Sequence, residues 1–340
     1  MERKLILGLL SAILVLMTVL AVVAAPAKKI PILVAGPPAQ WFVYPAVLAT
    51  SELITRKTNL ELTVRSYGGA LAIVQAVIAK EASIGSGPKD SSWAQAYGAY
   101  GDFTGKQAQK NLRATVVYNS FIDILMVPAK TNIKSVADLK GKKVAWFTNE
   151  SNEWTQALLR VNGLDSDKDI VKVPVGSYSE AVREIIMGRI DAAELAPAQP
   201  TAMELSEAVG PLRLLPVPPD KFARLQKEYP KLFGGATQIY IKKGYMPHIE
   251  IKEPTPTYVF PVTVCTREDV SEDIIYNYTK AWLNNIDQIK ALAEALKEFG
   301  PDMIKTPSAM PYHNGAIKAL KEAGMWTDEM QKVHNAALSR

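Results

Sequence analysis

Five clusters of polar, glycine and aromatic residues stand at points where side chains could meet a small molecule. Tyr67-Gly68-Gly69 falls between a β-alternating run and an apolar helical run. Backbone N–H groups at such a helix start hold carboxylates or phosphates, although the same glycine pair also serves as a plain tight turn. Asn149-Glu150-Ser151-Asn152-Glu153-Trp154 occupies the equivalent turn further along the chain. There Asn149, Ser151 and Asn152 offer neutral polar contacts or simply cap their own helix, while Glu150 and Glu153 disfavour a second anion. Gln40-Trp41-Phe42, with Tyr44 and Tyr67, supplies aromatic surface that either stacks on an organic ligand or joins the core. Lys89 and Asp90 follow Gly85-Ser86-Gly87-Pro88, where they either pair with each other or reach a ligand beside Ser86. Glu194 and Gln199 flank Pro197 after another strand.

No catalytic set assembles from these or other residues. The sequence has no G-x-S-x-G elbow and no nucleotide-binding glycine loop. Its carboxylates form no recognisable acid–base pair. Cys265 is the only cysteine, so an intramolecular disulfide is excluded, and its apolar surroundings mark it as a core thiol. His248, His313 and His334 lack metal-ligand spacing relative to it and to one another. The formal net charge is +5, scattered among carboxylates, with no basic tract of the kind nucleic acids require. The expectation is a non-enzymatic protein with no cofactor, no metal and no nucleic-acid partner.

The elements that must position these residues alternate between strand and helix. Ile30–Gly36, Leu60–Val64 and Ala82–Gly87 read as strands, separated by helical spacing over Val43–Arg56 and Ala70–Lys80. Leu112–Tyr118 and Ile122–Val127 are β-rich. A second α/β run follows, with strands at Lys143–Phe147, Ile170–Val175, Ile190–Leu195 and Leu212–Val217. Helices are expected at Asn152–Asn162, Tyr178–Met187 and Lys221–Leu232, and Ser177/Glu180 and Thr201/Glu204 have capping-box spacing. Residues 234–257 read as an ordered loop or short hairpin, Tyr258–Thr266 as a return strand, and Asp273–Phe299 and Asn314–Ala323 as helices. Two α/β lobes are expected, each a mostly parallel sheet flanked by helices: 28–121 with 259–340, and 122–258. Open α/β sheets bind ligands at the carboxyl ends of their strands, so the two lobes would face each other across a cleft.

Before the first strand, Glu2-Arg3-Lys4 leads into an apolar run from Leu5 to Ala25 and a small-x-small exit at Ala25-Pro26-Ala27. This is the three-part pattern of a signal peptide over 1–27, cleaved after Ala27 or Ala24. The length also suits a retained membrane anchor. Either way the expected site of action is periplasmic or otherwise extracytoplasmic.

Longer stretches carry a resemblance to a known family. They include Tyr67-Gly68-Gly69 with Ala79-Lys80-Glu81-Ala82, and Ile133-Lys134-Ser135-Val136-Ala137-Asp138-Leu139-Lys140-Gly141. Others are Gly188-Arg189-Ile190-Asp191-Ala192 and Leu212-Arg213-Leu214-Leu215-Pro216. The most diagnostic are Tyr276 through Thr279-Lys280-Ala281 to Asn285-Ile286-Asp287, and Pro311-Tyr312-His313-Asn314-Gly315-Ala316-Ile317. Over nearly the whole mature chain the sequence resembles the TAXI-type solute receptors of TRAP transporters. The resemblance implies the class II periplasmic-binding-protein fold, a monomer, a small-molecule ligand and a TRAP membrane permease as partner. It departs from the family in the ligand loops, where Ala70-Leu71-Ala72-Ile73, Pro88-Lys89-Asp90 and Glu150-Ser151-Asn152-Glu153-Trp154 replace the usual residues. Trp41, Phe42, Tyr67, Leu71 and Ile73 favour a solute less polar than an amino acid, such as an aromatic or branched carboxylate. Such a carboxylate would be anchored at Gly68-Gly69 with Lys89 nearby. A receptor of the same fold serving an ABC transporter or a sensor, or an exported enzyme on that scaffold, are the alternatives.

Overall fold

A computed structural model describes residues 28–39, 41–98, 108–148, 152–233, 235–297 and 299–339. The signal-peptide residues 1–27, and the expected ligand contacts Gln40, Asn149 and Ser151, lie outside the described residues. The α/β class expected from the sequence holds. The first strands and helices are β1 (Ile30–Gly36), α1 (Tyr44–Lys57), β2 (Leu60–Ser66), α2 (Ala70–Ile78), β3 (Ile84–Gly85) and α3 (Asp90–Tyr97). Two strands then run in succession, β4 (Leu112–Phe121) and β5 (Ile124–Pro128). The second α/β run comprises β6 (Lys143–Phe147), α4 (Glu153–Val161), β7 (Val171–Val175), α5 (Tyr178–Ile186), β8 (Ala193–Leu195), α6 (Pro200–Val209) and β9 (Leu212–Leu214). After α7 (Pro219–Glu228) and the short α8 (Pro230–Phe233) come β10 (Thr237–Ile241) and the long β11 (Thr255–Arg267). The tail is helical: α9 (Glu272–Leu283), α10 (Ile286–Lys290), α11 (Pro301–Ile304), α12 (Asn314–Glu322) and α13 (Asp328–Leu338).

The sheets are mixed rather than mostly parallel. β1 pairs in parallel with β2 and β3, as βαβ crossovers require. β11 returns from the far half, so it meets β3 and β4 antiparallel, while its first residues pair with β10. In the second half β6 and β7 are parallel, but β5 enters against the run and lies antiparallel to β8 and β9. The strand order of the main sheet is β10-β11-β3-β1-β2, with β4 on the same β11.

Buried apolar side chains form two separate clusters. One gathers residues from Ile32 to Tyr118 and from Val262 to Met330, and the other runs from Ile122 to Phe260. The chain passes between them where β4 leads to β5 and along β11. Helices turn apolar faces to these clusters, as does α4, which buries Ala157, Leu158 and Val161.

Three sequence expectations are corrected. Thr201 does not cap α6, because the helix begins at Pro200 behind Gln199 and no side chain caps it. The stretch Asp273–Phe299 is not one helix. It breaks after Leu283, where the Asn285 amide donates to the Ala281 carbonyl and resolves the end locally. Lys221–Leu232 divides at Tyr229, because Pro230 follows and disfavours helical backbone at the residue before it.

Candidate functional site

A cleft of about 920 Å³, its open mouth included, lies between the two apolar clusters and is lined from both. From the first half come Trp41, Phe42 and Val43, then Ala70, Gly87, Lys89 and Ser92; from the second come Asp123, Phe147 and Trp154, then Tyr178, Glu194 and Gln199.

The first wall is set by loops after β1 and β3. After β1, turn bonds from Trp41 N–H to the Pro38 carbonyl and from Tyr44 N–H to the Trp41 carbonyl fold the aromatics back to the cleft. Gly87 has a φ of +116°, and a Cβ there would sit 3.0–3.2 Å from the Pro37 ring. Glycine is therefore required both by the backbone and by the packing of the first loop.

The second wall follows the same logic. β6 ends at Phe147, whose N–H and C=O are both met by the Asn152 side-chain amide at 2.9 and 2.8 Å. The clamp ties the end of β6 to the start of α4, whose first turn holds Trp154. Ser177 accepts from Glu180 N–H and starts α5, so Tyr178 stands beside Phe147 with ring centroids 4.7 Å apart. Glu194 lies on β8 opposite Leu125, and the Thr155 hydroxyl donates to its carboxylate at 2.5 Å. Gln199 precedes α6.

Lys89 and Asp123 meet across the junction of the halves. The Lys89 ammonium is 2.8 Å from the Asp123 carboxylate, and both side chains are about nine-tenths buried. The same ammonium is 4.7 Å from the Trp154 ring centroid and 4.5 Å from that of Phe260. Cation–π attraction thus adds to the ion pair.

Of the residues expected to touch a ligand, Trp41, Phe42, Lys89, Glu194 and Gln199 line the cleft together. The other described ones are not in the lining. Asp90 is fully buried and faces away, accepting from Thr263 and Ser308 hydroxyls and the Ala309 N–H. Burial nonetheless raises its carboxyl above the usual range. Ser86 is buried against the Tyr118 hydroxyl. The Tyr67 hydroxyl donates to Glu81. Asn152 is spent on the Phe147 clamp. Gly68 and Gly69 stop one residue short of the lining, which begins at Ala70. The start of α2 thus reaches the cleft through Ala70, while Lys89, expected beside the glycine pair, meets Asp123.

Reading the sequence missed Asp123, Phe147, Trp154, Tyr178 and Ser92. Asp123 carried a signal: it is a lone carboxylate between apolar residues Ile122 and Ile124. Trp154 and Tyr178 carried another, being aromatics in the first turn of a helix after a strand, as Trp41 and Phe42 nearly are.

Among the described residues no group of three or more His, Cys, Asp or Glu could hold a metal ion. The Cys265 thiol is fully buried in the strand β11, and burial pushes its pKa far up, so it is held as an unreactive thiol.

The match to a family of known sequences extends from residue 32 to residue 324 and so takes in the second core, all of the first except Met330, and every described lining residue. This chain belongs to the NMT1-like family. Its shape is also similar to solved proteins of low identity. The periplasmic aliphatic sulphonate binding protein SsuA from Escherichia coli is 14% identical, with a TM-score of 0.45 over 93% of this chain and 86% of that one. A putative L-cystine ABC transporter from Listeria monocytogenes is 15% identical, with a TM-score of 0.46 over 79% and 96%. The GluR0 ligand-binding core from Nostoc punctiforme, in complex with L-glutamate, is 14% identical, with a TM-score of 0.46 over 77% and 97%. In this NMT1-like chain the cleft is walled by aromatic rings, one ion pair, a second carboxylate and an amide.

Proposed function

We propose that this protein is a non-enzymatic extracytoplasmic receptor that takes a small organic solute into the cleft and presents it to a membrane permease. One observation carries the reading: the cleft wall is drawn in comparable parts from two separately cored halves, linked through β4–β5 and β11. A solute touching both walls favours a closed arrangement over an open one, and hinge closure of this type is what a permease would recognise. The halves acting as lobes are 28–121 with 259–340, and 122–258, in the class II periplasmic-binding-protein arrangement. Trp41, Phe42, Lys89, Glu194 and Gln199 are assigned to solute contact, joined by Asp123, Trp154 and Tyr178. The apolar run Leu5–Ala25 supports export with residues 1–27 as the signal. Among the described residues no helix is long and apolar enough to cross a membrane.

The permease is assigned to the TRAP type on the TAXI-like segments around Tyr276–Asp287 and Pro311–Ile317. A TRAP membrane gene beside the coding sequence supports that assignment, whereas an ATPase gene there would move the receptor to an ABC transporter. The receptor reading itself is tested by purifying the monomer from its native host and identifying bound solute by mass spectrometry. X-ray scattering is then recorded on stripped and reloaded protein. One recovered organic solute and a smaller radius of gyration on reloading are expected. Turnover of a recovered compound with unchanged scattering would replace the receptor by an enzyme.

A further inference from the structure

Gln199 stands in the cleft wall at the turn from β8 into α6, and its backbone is fixed. Its N–H donates to the Ala196 carbonyl and its carbonyl accepts from the Ala202 N–H, both at 3.0 Å. Two residues earlier the Pro197 carbonyl accepts from His248 Nε2 at 2.7 Å, which ties the turn to the connection between β10 and β11. The side chain, by contrast, is unspent. It does not cap α6, although an oxygen before a helix can accept from the first free N–H groups. Its Oε1 is buried without a hydrogen-bond partner among the described residues, and its Nε2 donates to none of them. A buried acceptor left unmet is unfavourable until something brings a donor to it. The charged groups of the same wall are engaged within the protein. Lys89 meets Asp123 at 2.8 Å, and Glu194 takes the Thr155 hydroxyl at 2.5 Å. A charged solute group must compete with partners already in place, and its own desolvation is costly. The Gln199 amide has no such competitor. Trp41, Phe42, Phe147 and Tyr178 supply ring surface to the same cleft, the last two with centroids 4.7 Å apart.

We propose that Gln199 determines the specificity of the cleft, and that the solute is an uncharged amide, a primary carboxamide or lactam, on a flat apolar body. Its N–H donates to Gln199 Oε1 and its carbonyl accepts from Nε2, so that two amides pair edge to edge. The aromatic rings enclose the body. This deepens the receptor reading of the same cleft and rests on it. Only a group with a donor and an acceptor side by side matches both ends of the Gln199 carboxamide. A tertiary amide or a ketone brings no donor to Oε1. An ammonium donates to Oε1 but offers nothing to Nε2 and gives up its hydration. A carboxylate accepts from Nε2 only and sets a further acceptor against Oε1 and Glu194.

The test uses protein stripped of bound solute by unfolding and refolding, titrated calorimetrically with oxindole and 2-phenylacetamide. Matched compounds each remove one feature: 1-methyloxindole loses the N–H, while phenylacetate and phenethylammonium carry a charge in place of the amide. The two amides are expected to bind about tenfold tighter than any of the three, the effect of leaving one buried polar group unmet. Gln199→Met keeps the length of the side chain and removes both polar atoms. It should weaken the amides about tenfold and 1-methyloxindole much less. Without solute, its thermal midpoint should not fall below that of the parent, because no internal hydrogen bond is lost. A clear fall would mean that Gln199 bonds within the protein and would overturn the proposal. So would tighter binding of phenylacetate or phenethylammonium than of the amides, or amide binding unchanged in Gln199→Met, and each of these leaves the receptor standing. If no probe gives heat, the solute recovered from native protein decides. A compound without an amide N–H overturns the proposal alone, an amide supports it, and the recovery of no solute removes the receptor reading as well.

Discussion

Lys89 and Asp123 couple the two halves through a contact that neither half could make alone. Removing one partner leaves the other charged and nearly buried, which costs more than the pair contributes. Lys89→Met and Asp123→Asn should each destabilise the protein. Lys89→Met combined with the same Asp123→Asn should recover part of the loss, giving a coupling of roughly 1–3 kcal/mol in a urea-denaturation double-mutant cycle. Additive losses would mean that the pair contributes little beyond two independent side chains. At this scale the sequence was legible in part. Trp41, Phe42, Lys89, Glu194 and Gln199 could be nominated because each sits at the end of a strand or in the loop after one. The choice between Asp90 and Asp123 as partner to Lys89 could not be read. Asp90 is adjacent in sequence, but the start of α3 turns it toward Thr263 and Ser308, whereas Asp123 arrives from the connection that leads into β5 in the other half.

Helix starts and crossings show how elements set the frame. His313 precedes α12, its Nδ1 accepting from Gly315 N–H while Nε2 donates to the Val270 carbonyl. His334 on α13 likewise accepts from the Tyr312 N–H through Nδ1. Burial lowers the pKa of both rings, with Arg113 acting in the same direction. Unfolded histidine titrates near about 6.5, so the folded rings take up protons at lower pH than the unfolded chain does. Their contribution to stability is therefore complete above about pH 6.5 and is lost as the pH falls through the folded values. The urea midpoint should fall between pH 7.5 and pH 5, and His313→Asn, which keeps an N-cap acceptor, should flatten part of that fall. An unchanged slope in that variant would remove His313 from the account. At the crossing of α12 with α9, a Cβ on Gly315 would lie 2.3 Å from the Glu272 carbonyl oxygen and 2.7 Å from the Tyr276 nitrogen. Backbone atoms cannot rotate aside, so Gly315→Ala should cost roughly 1–3 kcal/mol, the usual range for overpacking, read as a lowered thermal midpoint. Element types were mostly legible because strand and helix periodicities alternate cleanly. The antiparallel entry of β5 was not, since its direction follows from which half the chain is entering. The extension of β11 back to Thr255 was not either, since it depends on pairing with β10.

The two cores differ in how the chain builds them. The Ile122–Phe260 core comes from one continuous stretch, whereas the other needs Val262, Trp282 and Tyr312 to close on strands laid down before residue 118. A fragment spanning 122–260 should therefore show native-like circular dichroism and dispersed amide resonances. A fragment spanning 28–121 should show neither, and a folded 28–121 fragment would contradict the assignment of its core. This discontinuity was legible in outline, because the second α/β run stops well before the chain does. The placement of the tail helices was not, since nothing local in α9 or α12 names the partner it packs on. The pairing of Cys265 with Gly85 and of Val264 with Val116 carries a further consequence for a chain made from its N-terminus onward. At ~5–20 residues per second, roughly 7–30 seconds separate the synthesis of β4 from that of β11. Throughout that interval β1 to β4 have no native cover for one edge and one face, and an unpaired edge of that kind recruits other strands. The earliest part of the polypeptide is thus the last to be safe, and a holdase that shields residues 30–121 should raise the yield more than one acting on the middle of the chain.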